Sequence, residues 1–166
     1  MTHTLEQFVA DCHRILKADC GPKGQQEVCD LLQEVLKDDE FVATHLGDDV
    51  PERKVLYEDA ELGFCILGHV NKGAKESPPH DHGPAWAIYG QARGETVMTD
   101  WELVEAATEE TPGKVRVAKT YTLTPGMAYA YDVGDLHSPQ RSGPTRLIRF
   151  EGQNMDGVSR LAYRPI

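Results

Sequence analysis

Three histidines stand at positions where they can bind one metal ion. His80 and His82 are separated by a single residue, and His137 follows 55 residues later. In a β-strand, side chains i and i+2 point to the same face roughly 7 Å apart, so His80 and His82 can approach a divalent ion from one side. His137 must then come from a second strand. The other four histidines, His3, His13, His45 and His69, lack such spacing and are given no metal role.

Turn residues and apolar runs frame both halves of this histidine set. Pro78-Pro79 precedes His80, and Gly83-Pro84 leads into an apolar, aromatic run from 85 to 90 that is typical of a buried strand. In the second half, a turn at Pro125-Gly126 precedes a run from 127 to 131 and then Gly134-Asp135-Leu136-His137. Each histidine group is therefore predicted to lie on or beside a strand.

The first third of the chain has a helical pattern. Apolar residues recur every three or four positions from Leu5 to Leu16, with Thr4 and Gln7 in capping-box positions. Gly21-Pro22 interrupts this pattern, and a second apolar stripe runs from Val28 to Leu36. A short third helix is predicted over residues 40–46.

From Arg53 onward the pattern changes to short strands divided by turn residues. Strands are predicted over residues 54–57, 62–70, 84–89, 95–101, 115–123, 127–131, 146–150 and 161–163, with exposed loops at 71–77 and 111–114. Many short strands with tight turns indicate a mainly β fold, an antiparallel barrel or jelly roll capped by the helices. The length of 166 residues suits one domain, with a helical part over 1–50 and a barrel over 53–166.

Charge, hydropathy and cysteine spacing exclude some classes of partner and indicate the cellular compartment. The net charge of −10 argues against a nucleic-acid or anionic-membrane surface, which needs clustered Lys and Arg. The sequence has no apolar stretch of about 20 residues and no signal-peptide core, so we expect a cytoplasmic protein. The four cysteines lack Cys-x-x-Cys spacing, so they are expected to be reduced thiols rather than zinc ligands or disulfides.

The motifs around the histidines resemble the two cupin motifs in the form used by cysteine dioxygenase and related bacterial thiol dioxygenases. The resemblance lies in Pro79-His80-Asp81-His82-Gly83, Trp86, Arg93-Gly94-Glu95 and Gly134-Asp135-Leu136-His137, and extends to the helical first third. It implies a cupin double-stranded β-helix with N-terminal helices. It also implies that His80, His82 and His137 bind non-haem Fe(II), although three imidazoles also accept Zn, Ni or Mn.

The chain departs from that family at three places. Ala87 stands where an ordinary cupin has a fourth, Glu ligand, which implies a three-histidine site with open positions for an anionic substrate and O2. The Ser-x-His-x-Tyr strand of the thiol dioxygenases is replaced by 147–151, Leu-Ile-Arg-Phe-Glu. Asp59 stands in place of a carboxylate-binding Arg.

The replaced strand supplies candidate catalytic residues. Alternation places Leu147, Arg149 and Glu151 on the inward face of the barrel, where Arg149 can bind a substrate carboxylate and Glu151 can orient that guanidinium or move a proton. An Arg-Glu pair at the barrel rim is the alternative. Tyr131 is a third candidate, although an aromatic residue on such a strand is often simply core.

Three functions fit this sequence. The first is a mononuclear Fe(II) dioxygenase acting on O2 and a small thiol or other small carboxylate-bearing molecule. The second is a metal-dependent isomerase, lyase or hydrolase with Glu151 as base. The third is a non-catalytic cupin that binds a small ligand. Oxygen uptake that depends on Fe(II) separates the first from the others.

Overall fold

A computed structural model describes residues 3–166. Three helices precede ten strands, and the last strand ends one residue before the end of the chain. The helices are α1 (Leu5–Ala18), α2 (Pro22–Leu36) and α3 (Asp39–His45), and the strands are β1 (Lys54–Glu58), β2 (Cys65–Asn71), β3 (Lys75–Glu76), β4 (Ala87–Arg93), β5 (Thr96–Glu105), β6 (Gly113–Leu123), β7 (Ala128–Tyr131), β8 (Leu136–Arg141), β9 (Thr145–Glu151) and β10 (Tyr163–Pro165). None of the helices in this described part of the chain is long and apolar enough to cross a lipid bilayer.

The strands form two five-stranded sheets, in the orders β1-β2-β9-β4-β7 and β10-β6-β5-β8-β3. All pairings are antiparallel except β10 with β6. Strands distant in the chain, such as β2 and β9, lie side by side in each sheet, which is the crossed arrangement of a jelly roll. The predicted double-stranded β-helix with N-terminal helices is confirmed.

The helices cover the outer face of the first sheet, where the sequence analysis expected them to cap the barrel. Ile148 and Phe150 of β9 point to this face and join the helix residues in one buried core. The ring of Phe8 lies edge-on to Phe150 with centroids 5.8 Å apart. Alternation on β9 therefore gives one strand two roles, since its even-numbered residues bind the helices and its odd-numbered residues face the barrel interior.

Helix starts follow the predicted chemistry. Thr4 caps α1, because its Oγ1 accepts a hydrogen bond from the Gln7 backbone N–H at 3.1 Å. The Gln7 side chain does not complete a capping box and donates instead to Asp11 Oδ1 at 3.3 Å. Asp38 caps α3 through the backbone N–H groups of Glu40 and Phe41.

Strand β4 corrects one prediction. This strand was predicted over 84–89, but β4 runs from Ala87 to Arg93 and the chain turns at Gly94, whose φ is +73°. Gly90 serves close packing instead, because a Cβ there would lie 2.7 Å from Leu32 and 2.8 Å from Leu36 of α2. The glycine lets helix and sheet approach each other.

Two strands are missing from the predicted ranges. The short β3 lies inside the segment 71–77 that was expected to be a loop. Strand β8 covers Leu136–Arg141, where His137 was expected on a strand but no bounds were predicted. The polar composition of β8 and the proline at 139 hide it, because both features usually mark loops. The segment predicted as a loop at 111–114 is also shorter than expected, since β6 begins at Gly113.

Candidate metal centre and cavity

The backbone itself brings the two histidine groups together. His80 and His137 form an isolated antiparallel β-bridge, in which each N–H donates to the other's carbonyl oxygen, at 3.0 and 2.9 Å. His82 lies outside any strand, whereas the sequence analysis placed both His80 and His82 on one. The turn at Gly83, whose φ is +57°, follows directly. His137 arrives on strand β8, as predicted.

The three imidazoles converge. One potential ligand nitrogen from each of His80, His82 and His137 lies within 4.8 Å of the other two. The Nε2 atoms of His82 and His137 are 3.1 Å apart. Two nitrogens bound to one ion at about 2.1 Å are separated by about 3.0 Å at octahedral angles and about 3.4 Å at tetrahedral angles. The spacing therefore fits two ligands of a common metal.

The tautomers also fit a metal. The Nδ1–H of His80 donates to the carbonyl of Pro78 at 2.8 Å, and that of His137 to the carbonyl of Asp135 at 3.1 Å. Such bonds leave the Nε2 lone pairs available to an ion and fix the ring orientation. The buried Nδ1 of His82 has no hydrogen-bond partner among residues 3–166, so His82 is held through its Nε2 contacts.

Burial keeps the imidazoles neutral. It lowers the pKa of His80 and of His82, and burial followed by the charge of His80 lowers the pKa of His137 to about 3. His137 is fully buried. Neutral imidazole is the form that binds metal, so at neutral pH no proton has to leave before an ion binds.

Tyr89 belongs to the aromatic run 85–90, which the sequence predicted only as a buried strand, yet it lies at the site. Its hydroxyl lies 2.9 Å from His82 Nε2 and 3.3 Å from His137 Nε2. Its position two residues after Ala87, on the inward face of β4, was the available signal. Trp86, which belongs to the resemblance noted in the sequence, packs against the core under the helices.

Tyr131, the third candidate catalytic residue, lies behind the imidazoles rather than in front of them. Its ring packs on His137 with centroids 4.3 Å apart, and its hydroxyl bonds to that of Tyr121 at 2.5 Å. Tyr121 in turn donates to Asp100 at 2.9 Å. Burial raises the pKa of Tyr131, and its side chain does not line the cavity described below. The structure therefore places it as a support for His137.

His80, His82 and Tyr89 open onto a cavity of about 540 Å³. Two rows of inward-facing side chains form much of its wall, His69 and Asn71 from β2 and Leu147, Arg149 and Glu151 from β9. The predicted alternation on β9 thus holds. Gln91 and Arg93, at the end of β4, do not line this cavity.

Glu151 is the electrostatic anchor of the cavity wall. Its carboxylate is only 1% exposed. Oε1 accepts a hydrogen bond from Arg53 at 3.0 Å and forms an ion pair with Arg149, also at 3.0 Å. Its Oε2 accepts from the Met155 backbone N–H at 2.9 Å. Arg149 also lies over the Tyr89 ring, 5.6 Å from its centroid. The pairing of Arg53 with Glu151 was not predicted. In the sequence, Arg53 stands between the helical part and the barrel, and no motif links it to a partner.

Basic side chains outnumber acidic ones around the cavity. Its basic side chains are Arg53, Lys75, Arg141, Arg149 and Arg160, and its acidic side chains are Glu52, Glu151 and Asp156. The lining therefore carries a formal charge of +2 with neutral histidines, inside a chain of net charge −10. A concave surface of one sign focuses its field and concentrates ligands of the opposite sign.

Comparison with known proteins found only distant likenesses. No family model matches the sequence, and no curated protein matches it significantly. Solved structures with a similar barrel include an uncharacterised conserved protein with a double-stranded beta-helix domain from Klebsiella pneumoniae, at 15% identity over 70% of this chain and 83% of that one, with a TM-score of 0.48. KdgF from Halomonas sp. is 16% identical over 66% of this chain and 88% of its own, with a TM-score of 0.45.

A cupin superfamily protein from Desulfitobacterium hafniense is also similar, at 10% identity over 59% of this chain and 72% of that one, with a TM-score of 0.42. Likeness at this level concerns the fold and carries no argument about chemistry. The closer resemblance to thiol dioxygenases stays a prediction from the sequence. Function has to be argued from the three imidazoles and the cavity.

Proposed function

We propose that this protein is a mononuclear non-haem Fe(II) dioxygenase that acts on a small carboxylate-bearing thiol. The convergence of three neutral imidazoles at the wall of an arginine-lined cavity carries this proposal. His80, His82 and His137 would bind the iron. Three neutral ligands leave its +2 charge uncompensated, which favours an anionic substrate and leaves positions for O2. When bound, Fe(II) supplies a redox-active Lewis acid at this point of the cavity.

The chain's own residues then place the substrate. Arg149 offers a guanidinium to the substrate carboxylate, and Glu151 holds that guanidinium in place through the 3.0 Å ion pair. Glu151 is thus a positioning residue. The Tyr89 hydroxyl, next to two of the three ligand nitrogens, can donate a hydrogen bond to whatever anion occupies the neighbouring position.

The reaction balances without a further reductant. A thiolate R–S⁻ and one O2 give the sulfinate R–SO2⁻. The O–O bond breaks, two S–O bonds form, and the four electrons that the sulfur loses reduce the two oxygen atoms. No proton has to be abstracted from carbon, so the cavity needs no strong base.

The non-redox alternative loses support at Glu151. A general base needs a free oxygen lone pair directed at the substrate proton. Here Oε1 accepts a hydrogen bond from Arg53 and is ion-paired with Arg149, and Oε2 accepts from the Met155 backbone N–H. An isomerase, lyase or hydrolase that uses Glu151 as base would first have to break this network.

Anaerobic purification followed by metal analysis and oxygen-uptake measurements tests the proposal. We expect stoichiometric iron after reconstitution with Fe(II), and O2 uptake with 3-mercaptopropionate in a 1:1 ratio to thiol consumed, with a sulfinate product. Propionate, which lacks the thiol, is the matched control and should give no uptake. Turnover of equal rate without O2, or with Zn, Ni or Mn in place of iron, would refute the dioxygenase assignment.

A further inference from the structure

Arg141 is a buried cationic residue for which the proposed reaction has no use. It follows His137 by four residues on β8, so both side chains point to the barrel interior with Cα atoms about 13 Å apart. Pro139, between them, and Arg141 both line the cavity. Strand β8 therefore carries one of the three imidazoles at one end and a guanidinium at the other.

Neutral groups fix the position of Arg141. Its Nε donates to Thr96 Oγ1 at 3.1 Å, and the Thr96 hydroxyl donates to Gln91 Oε1 at 2.9 Å. The Gln91 amide in turn donates to the Arg93 carbonyl at 3.1 Å. All of these bonds hold the Nε side of the guanidinium, so its terminal Nη1 and Nη2 groups stay available to a ligand.

Arg141 has no counterion in the part of the chain that the structure describes. It is 8% exposed, and no Asp or Glu of residues 3–166 forms an ion pair with it, whereas Arg53 and Arg149 share Glu151. Burial and then the like charge of Arg149 lower its pKa. A buried charge without a partner is costly, so an anion that binds beside it gains a strong interaction.

We propose that Arg141 forms a second anion-binding subsite, and that the substrate class of this cavity is a short dianion with a carboxylate at its far end, such as a thiol that carries two carboxylates. This inference rests on the proposed function for the end of the ligand that lies at the imidazoles. In such a thiol the sulfur and the first carboxylate lie at the imidazoles and Arg149, and the distal carboxylate accepts hydrogen bonds from the Arg141 guanidinium. The +2 charge of the lining matches such a ligand.

Binding measurements on the full chain test this subsite without oxygen chemistry. Calorimetric titration of the metal-free and the Zn(II)-loaded protein compares glutarate with valerate, which has the same number of carbons and one carboxylate fewer. We expect glutarate to bind about tenfold more tightly or better, since a hydrogen-bonded charge pair in a buried site is worth at least that factor. Equal affinity of the wild-type protein for both acids overturns the inference, with no variant needed.

Two variants test whether Arg141 is the residue responsible for the preference for glutarate over valerate. Arg141→Gln should reduce the preference for glutarate to less than about threefold while it leaves valerate affinity and zinc content unchanged. Lys75→Gln removes an equal charge from the cavity rim, where Lys75 is 45% exposed and pairs with Glu52, and should preserve the preference. A preference that survives in Arg141→Gln would assign the second carboxylate to another residue.

Failure of this inference and failure of the proposed function give different results. Absence of O2 uptake with any thiol would refute the dioxygenase while the glutarate preference stands. Conversely, uptake with 3-mercaptopropionate that is no slower than with mercaptosuccinate, together with equal binding of glutarate and valerate, would preserve the dioxygenase and remove the second subsite.

Discussion

Replacing Glu151 with glutamine should destabilise the fold, because this carboxylate neutralises two arginines at once. The substitution keeps the volume and leaves an oxygen for the Met155 N–H, but it removes the negative charge between Arg53 and Arg149. Breaking a buried ion pair by removing one partner costs about 3–5 kcal/mol. Arg53 and Arg149 remain 31% and 22% exposed, so water relieves part of that cost. We expect the free energy of unfolding to fall by about 2–3 kcal/mol.

Urea titration followed by tryptophan fluorescence measures this change, with metal content determined on the same samples. The matched control is Glu102→Gln, which breaks a 2.9 Å pair with Arg116 at the surface, where the two side chains are 55% and 61% exposed. Its unfolding midpoint should stay at the wild-type value. A Glu151→Gln curve that coincides with the wild type would refute the anchoring role.

Four further changes have defined outcomes. His82→Ala should abolish stoichiometric metal binding, measured by elemental analysis after dialysis, and full retention would remove the three histidines from consideration. Arg149→Leu should raise the KM for thiol carboxylates about tenfold or more with metal content unchanged, and unaltered kinetics would make Arg149 structural. Tyr89→Phe should keep its metal and lower kcat by about 100-fold, whereas loss of metal would make Tyr89 a ligand. Burial, and then Arg149, hold the pKa of His69 well below its ordinary value, so below about pH 6.5 only the unfolded chain gains this proton. The free energy of unfolding should therefore fall as the pH drops, by at most about 1.4 kcal/mol per pH unit, and His69→Gln should show a shallower slope in urea titrations between pH 7 and 5.

Sequence patterns predicted the fold well where side chains alternate or repeat regularly. The three helices and eight of the ten strands follow from hydrophobic periodicity, with ends displaced by a few residues. Strand β8 could not be found in this way, because Pro139 and its polar neighbours resemble a loop. What makes it a strand is tertiary, namely pairing with β5 along five residues and a short pairing with β3. The predicted end of β4 at residue 89 was wrong for a related reason. Gly90 does not end the strand, and its small size allows close contact with α2.

Site residues could likewise be predicted only where a local sequence pattern marks them. His80, His82, His137, Arg149 and Glu151 share short motifs or one alternating strand. The structure brings four of them to the cavity wall and places the buried His137 beside His80 and His82. Arg53 and Arg141 have no local signal. Arg53 meets Glu151 only because the segment before β1 runs past the end of β9, a contact that spans 98 residues of sequence. Nothing in a sequence pattern records such a pairing.

The distribution of charge links these residues to one role. An apolar or neutral barrel interior would have the lowest desolvation cost. This interior instead holds several arginines around a cluster of imidazoles that burial keeps neutral, in a chain of net charge −10. The negative charge of Glu151 pairs with Arg53 and Arg149, and this pairing offsets the desolvation cost of the Arg149 guanidinium on β9. Arg141 is not compensated, so its cost persists in the absence of a ligand. A divalent ion at the imidazoles would add a further +2 without adding a ligand carboxylate, since Ala87 stands where one was expected. A ligand with two anionic groups, as proposed above, would neutralise both ends of β8 at once.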